Sequence, residues 1–291
     1  MKIEKKLASP EIIRARFGRP WEEVARLTDR HTRAVQAWLS SRAPQAKRFN
    51  GLGVTASSTG LAVSLLNLAL GSDFPAGTRE QAIADEIETV KAFFIQRNVP
   101  WSWWMSPFPQ PPDIGLRLEQ QGLIFDPPPL PAMAAPLPAT SPSIPAGINV
   151  WQAASQADLE AASQIRRIAF GFPEGVALTY FEDMATDWLN PTGPARLYLA
   201  RLGNNGPPTA IGALIMGADL PGVYVMATLP EWGRQGLGRA ILARILAQAA
   251  AESYSLIMLT AGEKGYPLYR QFGFEHIFDY NIFSLNPGFG E

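Results

Sequence analysis

Residues with the types and spacing to bind a phosphate group and to move a proton lie near the end of the chain. Gly233, Gly236 and Gly238 stand between a predicted strand and a predicted helix, where backbone N–H groups and the helix dipole favour a pyrophosphate. Tyr269 follows the next predicted strand, and a phenol can protonate a leaving thiolate because the two pKa values are close. Each feature also has a structural interpretation: the glycines can serve close strand–helix packing, and Tyr269 can be a core residue.

An alternation of strands and helices surrounds these residues and would position them. A hairpin with the loop Gly203-Asn204-Asn205-Gly206 precedes the glycine-rich turn. The helix after the turn would cross over between two parallel strands, so the order predicts an α/β fold with a mixed, largely antiparallel central sheet and flanking helices. The predicted strands are 147–152, Arg196–Leu202, Ala210–Met216, Gly222–Leu229, Tyr254–Thr260 and His276–Leu285, and the predicted helices are Ser155–Phe170, Thr179–Leu189, Leu237–Ala251 and Gly265–Phe272.

Two segments resemble motifs of the GCN5-related N-acetyltransferase (GNAT) superfamily. The acetyl-CoA loop of that family is similar to Ala227-Thr-Leu-Pro-Glu-Trp-Gly-Arg-Gln-Gly-Leu-Gly-Arg-Ala-Ile-Leu242, and its helix ending in Gly-Phe is similar to Pro267-Leu-Tyr-Arg-Gln-Phe-Gly-Phe274. Both motifs occur in the family's order and spacing. Gly233 stands where the family usually has Gln or Arg, and the neighbouring Arg234 could supply the charge.

The resemblance implies the acyl-CoA N-acyltransferase fold, in two tandem halves, and transfer of an acetyl group from acetyl-CoA to a small-molecule or peptide amine without a metal. It implies that backbone amides of Arg234–Arg239 hold the pyrophosphate, that Val225–Thr228 splays from its neighbouring strand to bind the pantetheine arm, and that Tyr269 is the general acid. The cofactor-binding residues expected on this basis are Met226, Ala227, Thr228, Gly233, Arg234, Gln235, Gly236, Leu237, Gly238 and Arg239.

The chemistry of the acceptor side is less defined by the sequence. The absence of cysteine leaves no thiol to carry the acetyl group, so we expect direct attack by the amine. No general base is assigned, and an ordered water is an alternative to a carboxylate. Tyr224 could line the acceptor pocket or pack on the sheet. The acidic residues that are candidates by their order alone are Glu182, Asp183, Asp187 and Glu231.

A proline-rich stretch from Pro127 to Pro145 contains eight prolines and predicts a linker, or an edge segment leading into one, without a helix or a central strand. We therefore predict an N-terminal domain at 1–140, a linker at 141–147 and a catalytic domain at 148–291. Residues 90–105 and 113–123 resemble the non-catalytic N-terminal half of two-part acetyltransferases. The aromatic cluster Trp101, Trp103, Trp104 and Phe108 could form an acceptor-side wall or a buried core.

Residues 20–42 allow two interpretations. They could form a DNA-binding helix-turn-helix, because 12 basic residues face 5 acidic ones in the first 48 positions. They could instead form one amphipathic helix packed on the N-terminal half through Val24, Leu27, Val35, Trp38 and Leu39. There are accordingly two functional alternatives to an enzyme: a non-catalytic acyl-CoA-binding regulatory protein and a DNA-binding protein. Nucleic acid is a less favoured partner than an amine acceptor.

Composition narrows the class of protein. With 47% hydrophobic and 18% charged residues, the chain is a packed globular protein. No cysteine and only two histidines exclude thiolate zinc sites and histidine-rich metal sites. The N-terminus lacks the apolar stretch of a signal peptide and no segment has the length of a membrane span, so we expect a cytoplasmic protein. A homodimer is left open.

Overall fold

The computed structural model describes residues 5–137, 143–173 and 180–285 of the chain. Its helices are α1 (Pro10–Phe17), α2 (Trp21–Ser41), α3 (Glu80–Ile95), α4 (Ile114–Gln120), α5 (Gln156–Phe170), α6 (Tyr180–Asp183), α7 (Ala185–Trp188), α8 (Leu237–Ala251) and α9 (Tyr266–Gln271), with short 3-10 helices at Ser64–Leu66 and Pro230–Trp232. Its strands are β1 (Lys47–Asn50), β2 (Thr55–Ser58), β3 (Asn67–Leu70), β4 (Ser102–Met105), β5 (Ile124–Phe125), β6 (Leu130–Pro136), β7 (Ile148–Gln152), β8 (Ala195–Leu202), β9 (Ala210–Gly217), β10 (Leu220–Thr228), β11 (Leu256–Thr260) and β12 (Glu275–Ser284).

The chain forms two compact units, each made of separate segments. Unit 1 comprises Met1–Val35 and Ala132–Ile277, and unit 2 comprises Gln36–Pro131 and Phe278–Glu291. These boundaries differ from the predicted domains, because the first helices belong to the unit that contains the glycine-rich turn. The division at 141–147 into independently folding domains stays a prediction.

Unit 1 contains a six-stranded sheet in the order β6-β11-β10-β9-β8-β7. All neighbouring pairs within it are antiparallel except β10 and β11, which are parallel and are connected by α8. A parallel pair needs such a crossover, because its two strands run in the same direction. The expected mixed, largely antiparallel sheet with flanking helices is confirmed.

One core of unit 1 lies between α8 and the sheet. The helix is apolar over most of its length and buries Leu237, Ile241 and Ile245 against strand residues such as Leu214 and Ile257. A buried side chain of this size contributes roughly 1.5–3 kcal/mol relative to an exposed one. This packing fixes the start of α8 relative to β10.

β6 corrects the interpretation of the proline-rich stretch. Residues Ala132–Pro136 pair with every residue of β11, although they lie in the proline-rich stretch predicted to form a linker or an edge segment leading into one. The ladder is carried by the four consecutive residues Ala132–Ala135, between Pro131 and Pro136. A strand therefore forms inside the proline-rich stretch, because the prolines stand at its ends and leave these N–H groups free to pair.

Unit 2 also contains a mixed sheet. Its strands lie in the order β1-β2-β3-β4-β12, and β5 pairs with the end of β12. β3 and β4 are parallel, and α3 crosses between them. The tryptophan cluster is part of this core: Trp101 stacks on Phe94 at a centroid distance of 4.6 Å, and Trp103 Nε1 donates to Gly71 O at 2.8 Å. Trp104 is buried as well, whereas Phe108 is half-buried.

The segment 20–42 contains one uninterrupted helix, α2, so the helix-turn-helix alternative is wrong. Val24, Val35 and Leu39 are buried as the amphipathic interpretation predicts. The helix does not belong to the N-terminal half alone, since residues up to Val35 lie in unit 1. Among the described residues, no helix has both the length and the apolar composition that crossing a membrane requires.

Candidate functional site

β10 separates from β11 after one paired position. Gly222 pairs with Met258, and the parallel register ends there, while β10 continues along β9 and β11 continues along β6. The two strands therefore diverge, and the backbone groups of β10 beyond Gly222 have no strand partner on the side of β11. An open strand edge of this kind can accept the amide groups of an extended ligand.

A bulge lies on β10 beside this opening. Tyr224 pairs with Ala213 and Ala227 pairs with Ile211, so β10 has one residue more than β9 between these positions. Val225 within the bulge has a φ of 46°. A β-bulge turns local backbone groups away from the ladder and is common next to functional sites.

The predicted residues Met226, Ala227 and Thr228 follow or lie in this bulge. Met226 packs over Gly212 of β9. A Cβ added to Gly212 would clash with Met226 Sδ and would lie 2.6 Å from Ile241 Cγ2. The absence of a side chain on Gly212 therefore makes room for Met226. Thr228 pairs with Ala210 at the end of the strand.

The start of α8 presents unpaired backbone donors. The backbone N–H groups of residues 234–239 donate no hydrogen bond within the part of the chain that the structure describes, and the first that does is Ala240 N, which donates to Gly236 O at 2.9 Å. No side chain caps α8, whereas Ser9 caps α1 and Ser155 caps α5. Free N–H groups and the helix dipole together favour an anion.

The glycines of this turn have distinct roles. Gly236 is the residue before α8 and has a φ of 87°, a left-handed conformation that favours glycine. An added Cβ on Gly238 would lie 3.5 Å from Leu268 Cδ2 and 4.0 Å from Thr228 Oγ1. Gly238 thus lies between the end of β10 and α9. Gly233 precedes Arg234, which also has a positive φ of 60°.

The remaining predicted residues of the turn differ in exposure. Leu237 is buried in the core, Gln235 and Arg234 are exposed, and Arg239 contacts α9. The Arg239 side chain donates to Gln271 Oε1, and its guanidinium lies 5.1 Å from the centre of the Phe272 ring. Arg239 is exposed as well, and its backbone N–H is one of the free donors at the start of α8.

Tyr269 lies on α9 and is 6% exposed. Its ring meets Phe274 at a centroid distance of 5.9 Å and lies over Gly265, where an added Cβ would be 2.8 Å from Tyr269 Cε2. Burial raises the pKa of Tyr269. Burial therefore moves the pKa of the phenol away from that of a thiol, and the hydroxyl stays protonated at neutral pH.

The acidic residues considered as bases do not gather on β10. Glu182 and Asp183 lie on α6, which packs against α5, and α5 packs in turn against β10. The pKa of Glu182 is raised by burial and by the charges of Glu160 and Asp183. Asp187 is on α7, and Glu231 is exposed in the turn before α8.

Tyr224 packs on the sheet in a pairing that the sequence did not indicate. Its ring lies 5.8 Å from that of His31 of α2, and both side chains are buried. His31 Nδ1 lies 2.8 Å from Gly217 O, and burial lowers the pKa of His31 to about 4. The neutral imidazole therefore donates from Nδ1 to that carbonyl. Because His31 and Gly217 are 186 residues apart, no local pattern could have revealed the contact.

The described residues contain no cluster of side chains suited to binding a metal ion. Within residues 5–137, 143–173 and 180–285, no group of three or more His, Cys, Asp or Glu side chains could hold a metal ion.

The mixed sheet and flanking helices that hold the diverging strands, the bulge and the uncapped helix start match the GNAT acyltransferase fold. Residues 194–276 match the family model of the acetyltransferase (GNAT) domain. Members of this family are in general acyltransferases. No curated protein matches the sequence.

Solved structures agree with this fold. A GCN5-related N-acetyltransferase from Kribbella flavida is 21% identical, with a TM-score of 0.65 over 89% of this chain and 96% of that one. A GCN5-related N-acetyltransferase from Sphaerobacter thermophilus is 15% identical, with a TM-score of 0.60 over 97% and 96%. A tandem GNAT protein from the clavulanic acid biosynthesis pathway is 14% identical, with a TM-score of 0.53 over 89% and 97%, and supports the two-part architecture.

Proposed function

We propose that this protein is an N-acetyltransferase that moves an acetyl group from acetyl-CoA directly to an amine. One observation carries the proposal: the uncapped start of α8 lies beside the strand that leaves its parallel partner. Acetyl-CoA has a diphosphate that suits the free N–H groups and an amide-containing pantetheine arm that suits the open edge of β10. The acceptor would be a small-molecule or peptide amine in the cytoplasm.

The residues take the following roles in this proposal. Backbone amides of 234–239 bind the diphosphate, with Gly233, Gly236 and Gly238 keeping the approach free of side chains. Met226–Thr228 contact the pantetheine arm. The amine nitrogen attacks the thioester carbon, the C–S bond breaks, and Tyr269 donates a hydrogen bond or its proton to the departing sulfur. The amine loses its proton to water or to a base that is not assigned.

Binding tests the cofactor half of the proposal. We expect calorimetric titration to detect acetyl-CoA and CoA binding to the intact protein and not to Gly236→Glu or Gly238→Glu, since a carboxylate would occupy and repel the diphosphate position. Gly77→Glu is the matched control, because Gly77 in unit 2 also has a left-handed φ, of 81°, and no atom lies within 4 Å of an added Cβ. Absence of binding to the intact protein would contradict the proposal.

A non-catalytic acyl-CoA-binding regulatory protein is the second candidate. The positions of the acidic residues favour it, because an amine must lose a proton during transfer and the acidic residues considered as bases lie on α6, on α7 and in the turn before α8, not on β10. This candidate predicts acetyl-CoA binding without turnover on any amine. An amine screen monitored by release of free CoA separates the two.

A further inference from the structure

The N-terminal segment of residues 8–35 is attached to the chain that follows Tyr269. Ala8 N donates to His276 O at 2.9 Å, and Trp21 Nε1 donates to Ile277 O at 2.8 Å. Both acceptors lie at the start of β12, a few residues after the helix that carries Tyr269. All of these residues belong to unit 1.

Glu275 joins this segment to α9. It is buried, and its carboxylate accepts hydrogen bonds from both Arg16 and Arg270. Arg270 is the residue after Tyr269, and its Nη1 also donates to Phe274 O at 2.9 Å. A carboxylate held between two guanidinium groups forms charge-assisted hydrogen bonds, which are roughly twice as strong as neutral ones.

Gly273 allows Arg16 to reach this carboxylate. An added Cβ on Gly273 would lie 3.0 Å from Arg16 Nη2, and the residue has a φ of 83°. The Gly-Phe pair at the end of α9 therefore accommodates the N-terminal segment as well as ending the helix.

The same segment reaches β10 at its other end. His31 lies ten residues after Trp21, which corresponds to about 15 Å along α2 at 1.5 Å per residue. Its ring contacts Gly222, where an added Cβ would be 3.1 Å from His31 Cε1, and its Nδ1 donates to Gly217 O. Gly222 is the position at which β10 leaves β11. At one end the segment is thus hydrogen-bonded to the end of β9 and in contact with Gly222 of β10, and at the other it is hydrogen-bonded to the start of β12.

We propose that residues 8–35 act as an N-terminal strut of the acyl-transfer site and that Glu275 is the positioning residue through which the strut holds Tyr269. This proposal deepens the proposed function and rests on it. The strut fixes α9 relative to β10, and a displacement of about 1 Å at a reacting group can cost on the order of a hundredfold in rate. Glu275 acts through α9 and does not contact the substrate.

The test compares Glu275→Gln with Glu252→Gln in the full-length protein. Glu252 is the matched control, because it pairs with Arg196 at 2.8 Å at the other end of α8. We expect Glu275→Gln to lower kcat roughly tenfold or more, with an unchanged Kd for acetyl-CoA, and Glu252→Gln to leave kcat unchanged. Arg16→Ala, at a more exposed position, should reproduce part of the loss if Glu275→Gln folds poorly.

Two further measurements show whether Glu275 acts through Tyr269. In a Tyr269→Phe background, Glu275→Gln should cause no additional fall in kcat. Hydrogen exchange at the Phe274 amide, which donates to Tyr269 O at 3.0 Å, should be faster in Glu275→Gln than in Glu252→Gln. An unchanged kcat with unchanged exchange would overturn the strut, whereas failure of the intact protein to bind acetyl-CoA would contradict the proposed function itself.

Discussion

Tyr269 is both the proposed proton donor and a packed residue of the core. The ring contacts Phe274 and Gly265, and burial raises the pKa of the phenol. A raised pKa keeps the hydroxyl protonated, which suits donation to a developing thiolate more than full proton transfer at equilibrium. The hydroxyl and the ring can be separated experimentally, because phenylalanine keeps the ring.

Tyr269→Phe should therefore lower kcat by about a hundredfold and leave the Kd for acetyl-CoA unchanged. Steady-state turnover and calorimetric titration measure the two quantities. Tyr198→Phe is the matched control, since Tyr198 is buried in the same core cluster and its hydroxyl has no partner among the described residues. Equal turnover of Tyr269→Phe and the intact protein would remove Tyr269 from the mechanism.

His31 predicts a dependence of stability on pH. Burial lowers its pKa from 6.5 to about 4, so the unfolded chain binds the proton more readily than the folded chain between these values. The stability contributed by the neutral imidazole is complete above pH 6.5 and is lost as the pH falls towards 4. The free energy of unfolding should fall by about 2 kcal/mol between pH 7.5 and pH 5 from this group.

Urea denaturation at the two pH values measures that difference. The His31→Gln side chain cannot titrate in this range. Between pH 7.5 and pH 5, the free energy of unfolding of this variant should therefore fall by about 2 kcal/mol less than that of the intact protein. An identical pH dependence in the variant would show that His31 is not the group responsible.

Among the elements, the bulged β10 depends on a residue of its neighbour. Gly212 of β9 leaves the space that Met226 fills, and the bulge begins where Tyr224 pairs with Ala213. The open edge proposed for the pantetheine arm is therefore shaped by packing on the opposite strand as well as by its own sequence.

Gly212→Ala should destabilise the protein by about 1–3 kcal/mol, as overpacking of a core does, and should weaken acetyl-CoA binding because Met226 must move. Thermal unfolding and calorimetry measure the two effects. Gly115→Ala is the control, since an added Cβ there would lie 3.5 Å from Phe283 Cζ, an ordinary contact. Unchanged acetyl-CoA affinity with lowered stability would separate the bulge from the binding site.

Local patterns predicted the elements of the site well. The Ser155 cap, α5 and α8 lie at the predicted residues, and β10, the turn and α9 differ by one or two positions. Each of these is specified by nearby residues: caps, glycines and a helical period of apolar side chains. The predicted helix at Thr179–Leu189 is instead two short helices, α6 and α7, and Thr179 lies outside the described residues.

Long-range pairings could not be predicted in the same way. β6 was hidden by its flanking prolines, and the attachment of α2 to β9 and β10 depends on His31, which lies far from them in sequence. Nothing in the amphipathic pattern of α2 says which sheet its buried face will meet. Glu275 is likewise an ordinary acid in the sequence, with no local pattern that indicates its two arginine partners.

Across the whole molecule, part of each unit has its strands and helices in the same order along the chain. β3, α3, β4 and α4 of unit 2 follow one another as β10, α8, β11 and α9 do in unit 1, with a parallel strand pair in each. At the start of α3, however, Glu80 occupies the first turn and pairs with Arg117 at 3.3 Å. A carboxylate at this position disfavours an anion at the start of α3.

The segments of unit 1 also predict the behaviour of a fragment. The predicted catalytic domain 148–291 lacks β6, which pairs with all five residues of β11, and lacks the N-terminal strut. We expect this fragment to show no cooperative thermal transition by circular dichroism. A fragment 130–291, which restores β6, should recover part of the signal. A cooperative transition and full acetyl-CoA affinity in 148–291 would instead support the predicted domain boundary.

β12 has a consequence for the order in which the protein can fold during synthesis. Its residues Asn281, Ile282 and Phe283 pair with β4, and its first residues accept the hydrogen bonds of Ala8 and Trp21. Contacts between such distant positions form late, because a long loop must close first. Both units therefore complete these contacts only after β12 has been synthesised, and the helices and strands that precede it must be kept from aggregating until then.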